Sequence, residues 1–258
     1  MPFLQYLRLI HVMARMALRA DASRFFLGYI WWVLEPLLWV GVLYVVFMKI
    51  LGTARPDFLI FLATGKMIFL WFSKSITQAS NSIVNAKGLI GNINVPKSLF
   101  PMAMVHEGLY RQVAVFALLF VFLIASGYAV TATWWYLVPV LLVSYLMILA
   151  GAFIGACVVC LARDFSQVIA LGMMFLMFIS GVFWDVRGLA DPHKADLILA
   201  VNPLAFMLDA YRQITMHGTP PDMLHLLAIG AGSGVLIIAL VIFMRRKSQY
   251  LALRALTA

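Results

Sequence analysis

Apolar and polar positions follow two patterns along this chain. Over residues 4–26 the period is helical. Arg8, Arg15 and Arg19 project within about 20° of one direction, whereas Leu9, Ile10, Met13, Met16 and Ala17 point the other way. Such a basic amphipathic helix suits the headgroup layer of an anionic membrane leaflet, and the same pattern suits a helix packed on a partner. The second pattern is a series of apolar runs long enough for a bilayer core, which takes about 20 residues per helix. They cover residues 29–51, 58–80, 107–127, 135–161, 165–184 and 224–244. The prediction is an all-α polytopic membrane protein with six transmembrane helices after an N-terminal interfacial helix. Residues 1–27 form the interfacial segment, 28–249 the transmembrane domain and 250–258 a cytoplasmic tail.

The second span breaks the apolar rule. Its first half is interrupted only by Lys66, but Lys74, Gln78, Asn81 and Asn85 then follow at steps of four, three and four. At about 3.6 residues per turn they share one narrow face. An ammonium at membrane depth costs at least about 2.5 kcal/mol, so that face is expected to meet a partner or a wet cavity rather than lipid. The stripe runs into residues 85–97, whose glycines, asparagines and Pro96 are turn and cap residues. We read the whole as a pathway-lining helix joined to a short element that can be pushed from the cytoplasm.

Between the fifth and sixth spans lies a segment of some 37 residues, 185–221. Asn202 followed by Pro203 is an N-cap with a proline at the first helical position, so a helix is predicted over 202–212. It either dips into the outer half of the membrane or rests on it.

Composition agrees. The 258 residues are 64% hydrophobic and only 11% charged, with a mean hydropathy of +0.99, whereas soluble domains carry about 25% charged residues. The formal charge of +9 comes from basic residues scattered beside apolar runs, a membrane-topology pattern that gives no footprint for nucleic acid. With the N-terminus inside, twelve basic residues (Arg8, Arg15, Arg19, Arg24, Lys87, Lys97, Arg111, Arg163, Arg245, Arg246, Lys247 and Arg254) fall on the cytoplasmic side. The other side takes four: Arg55, Arg187, Lys194 and Arg212. Both termini are therefore expected in the cytoplasm of a multi-pass bacterial inner-membrane protein. Four arginines in the first 24 residues and the lack of a small-residue cleavage site argue against a cleaved signal.

Enzymatic chemistry finds little support. Cys157 and Cys160 have redox spacing but lie in an apolar helix without a second pair or a nearby His, and read as small hydrophobes. No glycine pair precedes a Lys in the manner of a phosphate-binding loop. His106, Glu107 and Arg111 are more simply a helical ion pair at i, i+4 than a catalytic cluster. No catalytic residue, metal site or cofactor is expected on this chain.

Four stretches together resemble one family. They are Arg24-Phe25-Phe26-Leu27-Gly28-Tyr29-Ile30-Trp31-Trp32-Val33-Leu34-Glu35-Pro36, the run from Asn81 to Pro96, Arg163-Asp164-Phe165, and Asn202-Pro203-Leu204 with Tyr211-Arg212. In this order and at these topological places the chain is similar to the membrane subunits of type-2 ABC exporters of bacterial surface polysaccharides, the KpsM/Wzm class. The resemblance implies a homodimer resting on cytoplasmic ATP-binding subunits, which hold the ATP and Mg. It also implies a coupling helix over 85–94 (Asn85, Lys87, Gly88, Leu89, Ile90 and Asn92), with the N-terminal helix as a second contact. Re-entrant helices over 185–218 would close an outer mouth that includes Trp184, Asn202, Pro203, Tyr211 and Arg212. Leu34-Glu35-Pro36 looks closer to capsule exporters than to many O-antigen exporters.

The expected function is export of a lipid-linked capsular polysaccharide from cytoplasm to periplasm, handed on to periplasmic or outer-membrane export proteins. Two copies would enclose a channel lined by spans one, two and five. Lys66, Lys74, Gln78, Asn81, Tyr29 and Trp31 are the candidate pathway residues, and Arg24, Phe25 and Phe26 stand where a lipid-anchored substrate would come in. Snorkelling accounts for Lys74 and an aromatic belt accounts for Trp31, Trp32, Phe183 and Trp184 on the same evidence. Export of an O-antigen or teichoic-type glycan, or of a small amphiphile or drug, is the alternative. An ATP-independent secondary transporter is the third reading, which wants intramembrane acids where Glu35 stands alone.

Overall fold

The computed structural model describes residues 3–23, 26–50, 52, 57–92 and 95–257. Among these, all regular structure is helical. The amphipathic pattern becomes α1, Phe3–Ser23. A short 3-10 turn, Gly28–Ile30, leads into α2, Trp31–Tyr44, which continues through a wider π-type stretch to Ile50. Then come α3 (Phe58–Ser80), α4 (Ser82–Asn85), α5 (Lys87–Asn92) and α6 (Leu99–Ala125). The second half holds α7 (Leu137–Leu161), α8 (Phe165–Ile179), α9 (Pro192–Val201), α10 (Pro203–Arg212), α11 (Met223–Arg246) and α12 (Ser248–Thr257).

Five helical stretches are long and apolar enough to cross a membrane: Gly28–Ile50, Phe58–Ser80, Leu99–Ala125, Ala132–Leu161 and Met223–Arg246. The run predicted as the fifth span, 165–184, is the shorter α8 of 15 residues. At 1.5 Å per residue it reaches about 22 Å, less than the roughly 30 Å of a bilayer core. It stops because Gly181 turns the chain at φ 74° and the Trp184 indole folds back to donate to the Phe178 carbonyl at 2.8 Å. The third span starts two turns earlier than its apolar run, at Leu99, since Pro101 is tolerated in the first turn of a helix.

The predicted second span is the centre of the molecule. In its most apolar window 72% of residues are buried, against 11% for Gly28–Ile50 and for α11. Helices α2, α6, α7, α8 and α10 all touch it. Its closest neighbour is α7, where Gly151 and Gly155 stand four apart. A Cβ on Gly151 would come within 2.8 Å of Ile76 Cδ1, and one on Gly155 would run into Ser80 Oγ. Small residues at this spacing let two membrane helices touch along their backbones. By contrast α8 has no buried residue and α2 only Pro36 and Val40, so both leave apolar faces uncovered in a single chain.

One element lay outside the sequence reading. Residues 85–97 read as turn and cap residues from composition, and the helix that the family resemblance implied over 85–94 is present as the six-residue α5; the tail read from 250 onward, by contrast, is α12, which lies against α5, α4 and α7. Leu251 and Ala255 face inward at 1% and 0% exposure, and the Cys160 thiol donates to the Leu251 carbonyl at 3.2 Å.

Candidate functional site

The polar face of α3 opens on a groove and not on an apolar wall. Lys74 forms an ion pair with Glu35 of α2, and Gln78 accepts from the guanidinium of Arg111 on α6. Arg111 also reaches Glu107 at 3.0 Å and Asp21 of α1 at 3.3 Å, while the Trp32 indole donates to Asp21 at 3.1 Å. Four helices therefore meet through charges at one end of the bundle. The reason is chemical: each ion inside an apolar helix packing needs a counter-ion, and the five charged side chains (Lys74, Glu35, Arg111, Glu107 and Asp21) supply them to one another, with Gln78 and Trp32 adding hydrogen bonds.

Beside this network lies a cleft of about 200 Å³ lined by Trp31, Trp32, Glu35, Trp71, Lys74 and Gln78. A second groove of about 430 Å³ continues from it along Thr77, Gln78, Asn81 and Asn85, walled by α1 and by Glu107. Indole faces, amides and alternating charges line one continuous surface. Within it Asn81 bonds back to the Thr77 carbonyl at 3.0 Å and Asn85 is exposed. Tyr29 is exposed and meets Trp32 edge to face at 4.8 Å between ring centroids. Phe26 is fully exposed; Arg24 and Phe25 lie outside the described residues.

Lys66 sits elsewhere on α3. It is 3% exposed, its ammonium lies 4.5 Å from the Trp39 ring centroid of α2, and Nζ donates to the Met177 sulfur of α8 at 3.1 Å. It is thus the point where α2, α3 and α8 converge, apart from the Lys74 groove.

At the opposite end of α3 the predicted mouth residues form a second assembly. Asn202 caps α10 by accepting from the Leu204 and Ala205 amides at 3.1 Å each, and its own amide donates to Ser180 at 3.0 Å. Pro203 occupies the first helical position, as predicted. Tyr211 is buried, with its hydroxyl 3.0 Å from Ser144 of α7. Arg212 is buried too, donating to the carbonyls of Gly181 (2.7 Å), Val182 (3.1 Å) and Phe61 (3.2 Å), with Phe61's ring under its guanidinium at 3.4 Å. Gly65 leaves the space for it, because a Cβ there would collide with that guanidinium. Trp184 packs with Val186 and α9.

Sequence reasoning missed Arg187 in this assembly. Its guanidinium clasps Asp209 through three hydrogen bonds of 2.8 to 3.0 Å, and Gln213 adds a fourth to the same carboxylate at 2.6 Å. The Asp209 carboxylate holds Arg187 above the usual guanidinium range. It likewise missed Asp21 and the Glu35–Lys74 pairing. The signal was present: only three acids, Asp21, Glu35 and Asp57, precede Glu107, so an ammonium within a span had few candidates for a counter-ion.

At the far side of the Lys74 groove, α5 exposes Lys87, Gly88, Leu89 and Asn92 and buries Ile90. Among the described residues no group of three or more His, Cys, Asp or Glu is placed to hold a metal ion.

Residues 8–216 match the ABC-2 type transporter family. The chain belongs to that family. It is 26% identical over 250 residues to the O-antigen export system permease protein RfbA of Myxococcus xanthus, covering 95% of each chain. An O-antigen export system permease protein RfbA of Klebsiella pneumoniae is 27% identical over 195 residues, 75% of this chain and 74% of its own length. The polysialic acid transport protein KpsM of Escherichia coli is 26% identical over 208 residues, 78% of each. The matched region of this ABC-2 chain runs from the basic face of α1 through the end of α10, so both polar assemblies lie inside it. Permeases of this family normally pair with an ATP-binding subunit.

Proposed function

We propose that this chain is the channel-forming permease subunit of an ATP-driven exporter of lipid-linked surface polysaccharide. Two copies would enclose the passage, a separate cytoplasmic ATP-binding subunit would drive it, and both termini would face the cytoplasm. The observation that carries the reading is the continuous polar groove along α3 and α4 from Lys74 to Asn85, which ends two residues before the short exposed helix α5. Sugars are bound by stacking on aromatic faces and by exchangeable donors and acceptors, and Trp31, Trp32, Gln78 and Asn81 offer both. A lipid phosphate would gain strongly from a cation in a site of low dielectric.

The bare faces of α2 and α8 support the dimer. Six helices of one copy enclose no polymer-wide passage, and Lys66, where α2, α3 and α8 meet, would look toward the two-fold axis of the pair. In this arrangement α8 crosses together with the 180–184 turn as the fifth of six spans, and α9 and α10 form the outer mouth. Coupling falls to α5 and to α1, both on the cytoplasmic side. Periplasmic and outer-membrane proteins would receive the product.

Relatives named for O-antigen export and for polysialic acid transport support polysaccharide as the cargo class. The capsular reading rests on Leu34-Glu35-Pro36, and Glu35 has a structural task in pairing Lys74. Capsule and O-antigen are separated by one experiment. Deleting the gene should trap glycan in the cytoplasm and abolish either the capsule layer or the O-antigen ladder on lipopolysaccharide. Restoration by the wild-type chain and not by a Gln78→Leu/Asn81→Leu double variant would place the groove on the route; full restoration by the double variant would remove it.

A further inference from the structure

Helix α12 and helix α5 enclose a cleft of about 360 Å³ lined by Ile90, Gly91, Asn92, Lys97, Ser248, Gln249 and Ala252. Lys97 is its unusual member. Its residue is 4% exposed, and among the described residues its ammonium has no carboxylate or hydrogen-bond acceptor. Burial alone pushes its pKa below the usual lysine range. Its stem is buried, as lysine stems often are, while the ammonium opens on the cleft, where a single fixed positive charge awaits an anion.

Nothing in the neighbourhood supplies the missing charge. Between residues 58 and 106 there is no Asp or Glu, and none after Asp222. Lys87, Arg245, Arg246, Lys247 and Arg254 add to the same sign around the two helices. The same two helices carry exposed apolar side chains: Leu89 of α5 is 43% exposed, and Leu256 of α12, 50% exposed, lies 3.7 Å from where a Cβ on Gly91 would stand. Helix α12 is held in place, because Leu251 and Ala255 are buried and the Cys160 thiol ties it to α7. A polar cleft with one unmatched cation, between helices that expose apolar side chains, is the complement of an acidic side chain on a protein surface.

We propose that this cleft is a socket for an Asp or Glu side chain of the ATP-binding subunit, with Lys97 as the ion-pairing residue, Asn92, Ser248 and Gln249 as hydrogen-bonding partners, and α12 as one wall of the docking surface. This rests on the reading of α5 as the coupling element, and it adds that the C-terminal helix completes the site. A lipid headgroup phosphate carries the same charge. The protein is favoured because the cleft lies between α12 and the element that docks the motor.

The test uses the full chain in nanodiscs, titrated with its ATP-binding subunit. Lys97→Met should weaken association at least tenfold, Lys97→Arg should keep it within about threefold, and Gln249→Glu, at an exposed position, should weaken it about as much as Lys97→Met by filling the socket with a carboxylate of its own. Leu89→Glu on α5 tests the underlying reading. If Leu89→Glu abolishes association while Lys97→Met and Gln249→Glu leave it unchanged, the socket is refuted and the coupling helix stands. If none of the variants weakens association, the coupling reading falls and the socket with it. If Lys97→Met leaves the subunit's affinity alone but lowers binding to vesicles containing phosphatidylglycerol, the site belongs to lipid and the proposal is overturned.

Discussion

Arg212 is the most exacting place to test the assembly around α10. Its guanidinium is the only donor to the Gly181, Val182 and Phe61 carbonyls among the side-chain bonds of the described residues, and it stacks on Phe61. Arg212→Met keeps much of the stem and removes every donor. Three carbonyls then lose a charged hydrogen bond, each worth about 1.5–3 kcal/mol. Water can replace the donor for those nearest the surface, so the expected net loss is about 3–5 kcal/mol, the range seen when one partner of a buried charged network is deleted. The cost should be local before it is global. The turn at 180–184 is pinned to α3 by these bonds and to α10 by Asn202, so its release should free Trp184 and the end of α8. The assay is thiol labelling of Phe183→Cys in detergent-purified protein, together with a thermal melt. Cys157 and Cys160 are buried and contribute little background. In the Arg212→Met background labelling should rise at least tenfold and the melt should fall by several degrees. Arg212→Lys, whose ammonium lacks the planar fork, should recover only part of the loss. Unchanged labelling and an unchanged melt would refute the claim that Arg212 fastens the 180–184 turn to the central helix.

Four further outcomes follow from the geometry. Gly65→Ala should act like a mild Arg212 variant, since the new methyl group occupies the guanidinium's position and Val182's carbonyl stands only 3.1 Å away; the same Phe183→Cys labelling reads it out. Lys66→Met should raise the melting temperature by removing an ammonium whose neighbours among the described residues are a thioether and the rings of Trp39 and Phe69, yet cut export; surface polysaccharide at wild-type level would take Lys66 off the route. For the Glu35–Lys74 pair, both partly exposed, a double-mutant cycle should give a coupling of about 1 kcal/mol or less. The swap Glu35→Lys/Lys74→Glu should then restore stability, and export only if Lys74 serves structure alone. Asn202→Ala should cost about 1 kcal/mol through loss of the α10 cap, visible as a lower melt with the helix content retained.

The parts of this molecule legible in the sequence are those set by local chemistry. The Asn202-Pro203 start of α10 was visible because a cap needs only a side-chain oxygen and a fixed φ, and both are encoded within three residues. The second span was read with the same limits as α3, and the i, i+4 pairing of Glu107 with Arg111 was predicted from spacing and forms at 3.0 Å. What escaped was whatever needs a second helix to define it. Periodicity placed Lys74 on a polar face but could not say that Glu35, 39 residues earlier, meets it there, nor that Lys66 turns away toward Met177, 111 residues later. The length of α8 escaped as well: apolar residues run on to Trp184, and only the φ of Gly181 and the indole bond to Phe178 end the helix early. Helix α12 was passed over as a tail because ten residues with Arg254 near their end look like solvated chain. Its worth lies in Leu251 and Ala255, a pair four apart that closes the core beneath α5, and a motif that short acquires meaning only from the helices it covers. The same logic explains why Lys97 drew attention only for its sign. Its isolation depends on a wall from the far end of the chain, and with that wall in place the unmatched charge becomes the feature of that end of the bundle that calls for a partner.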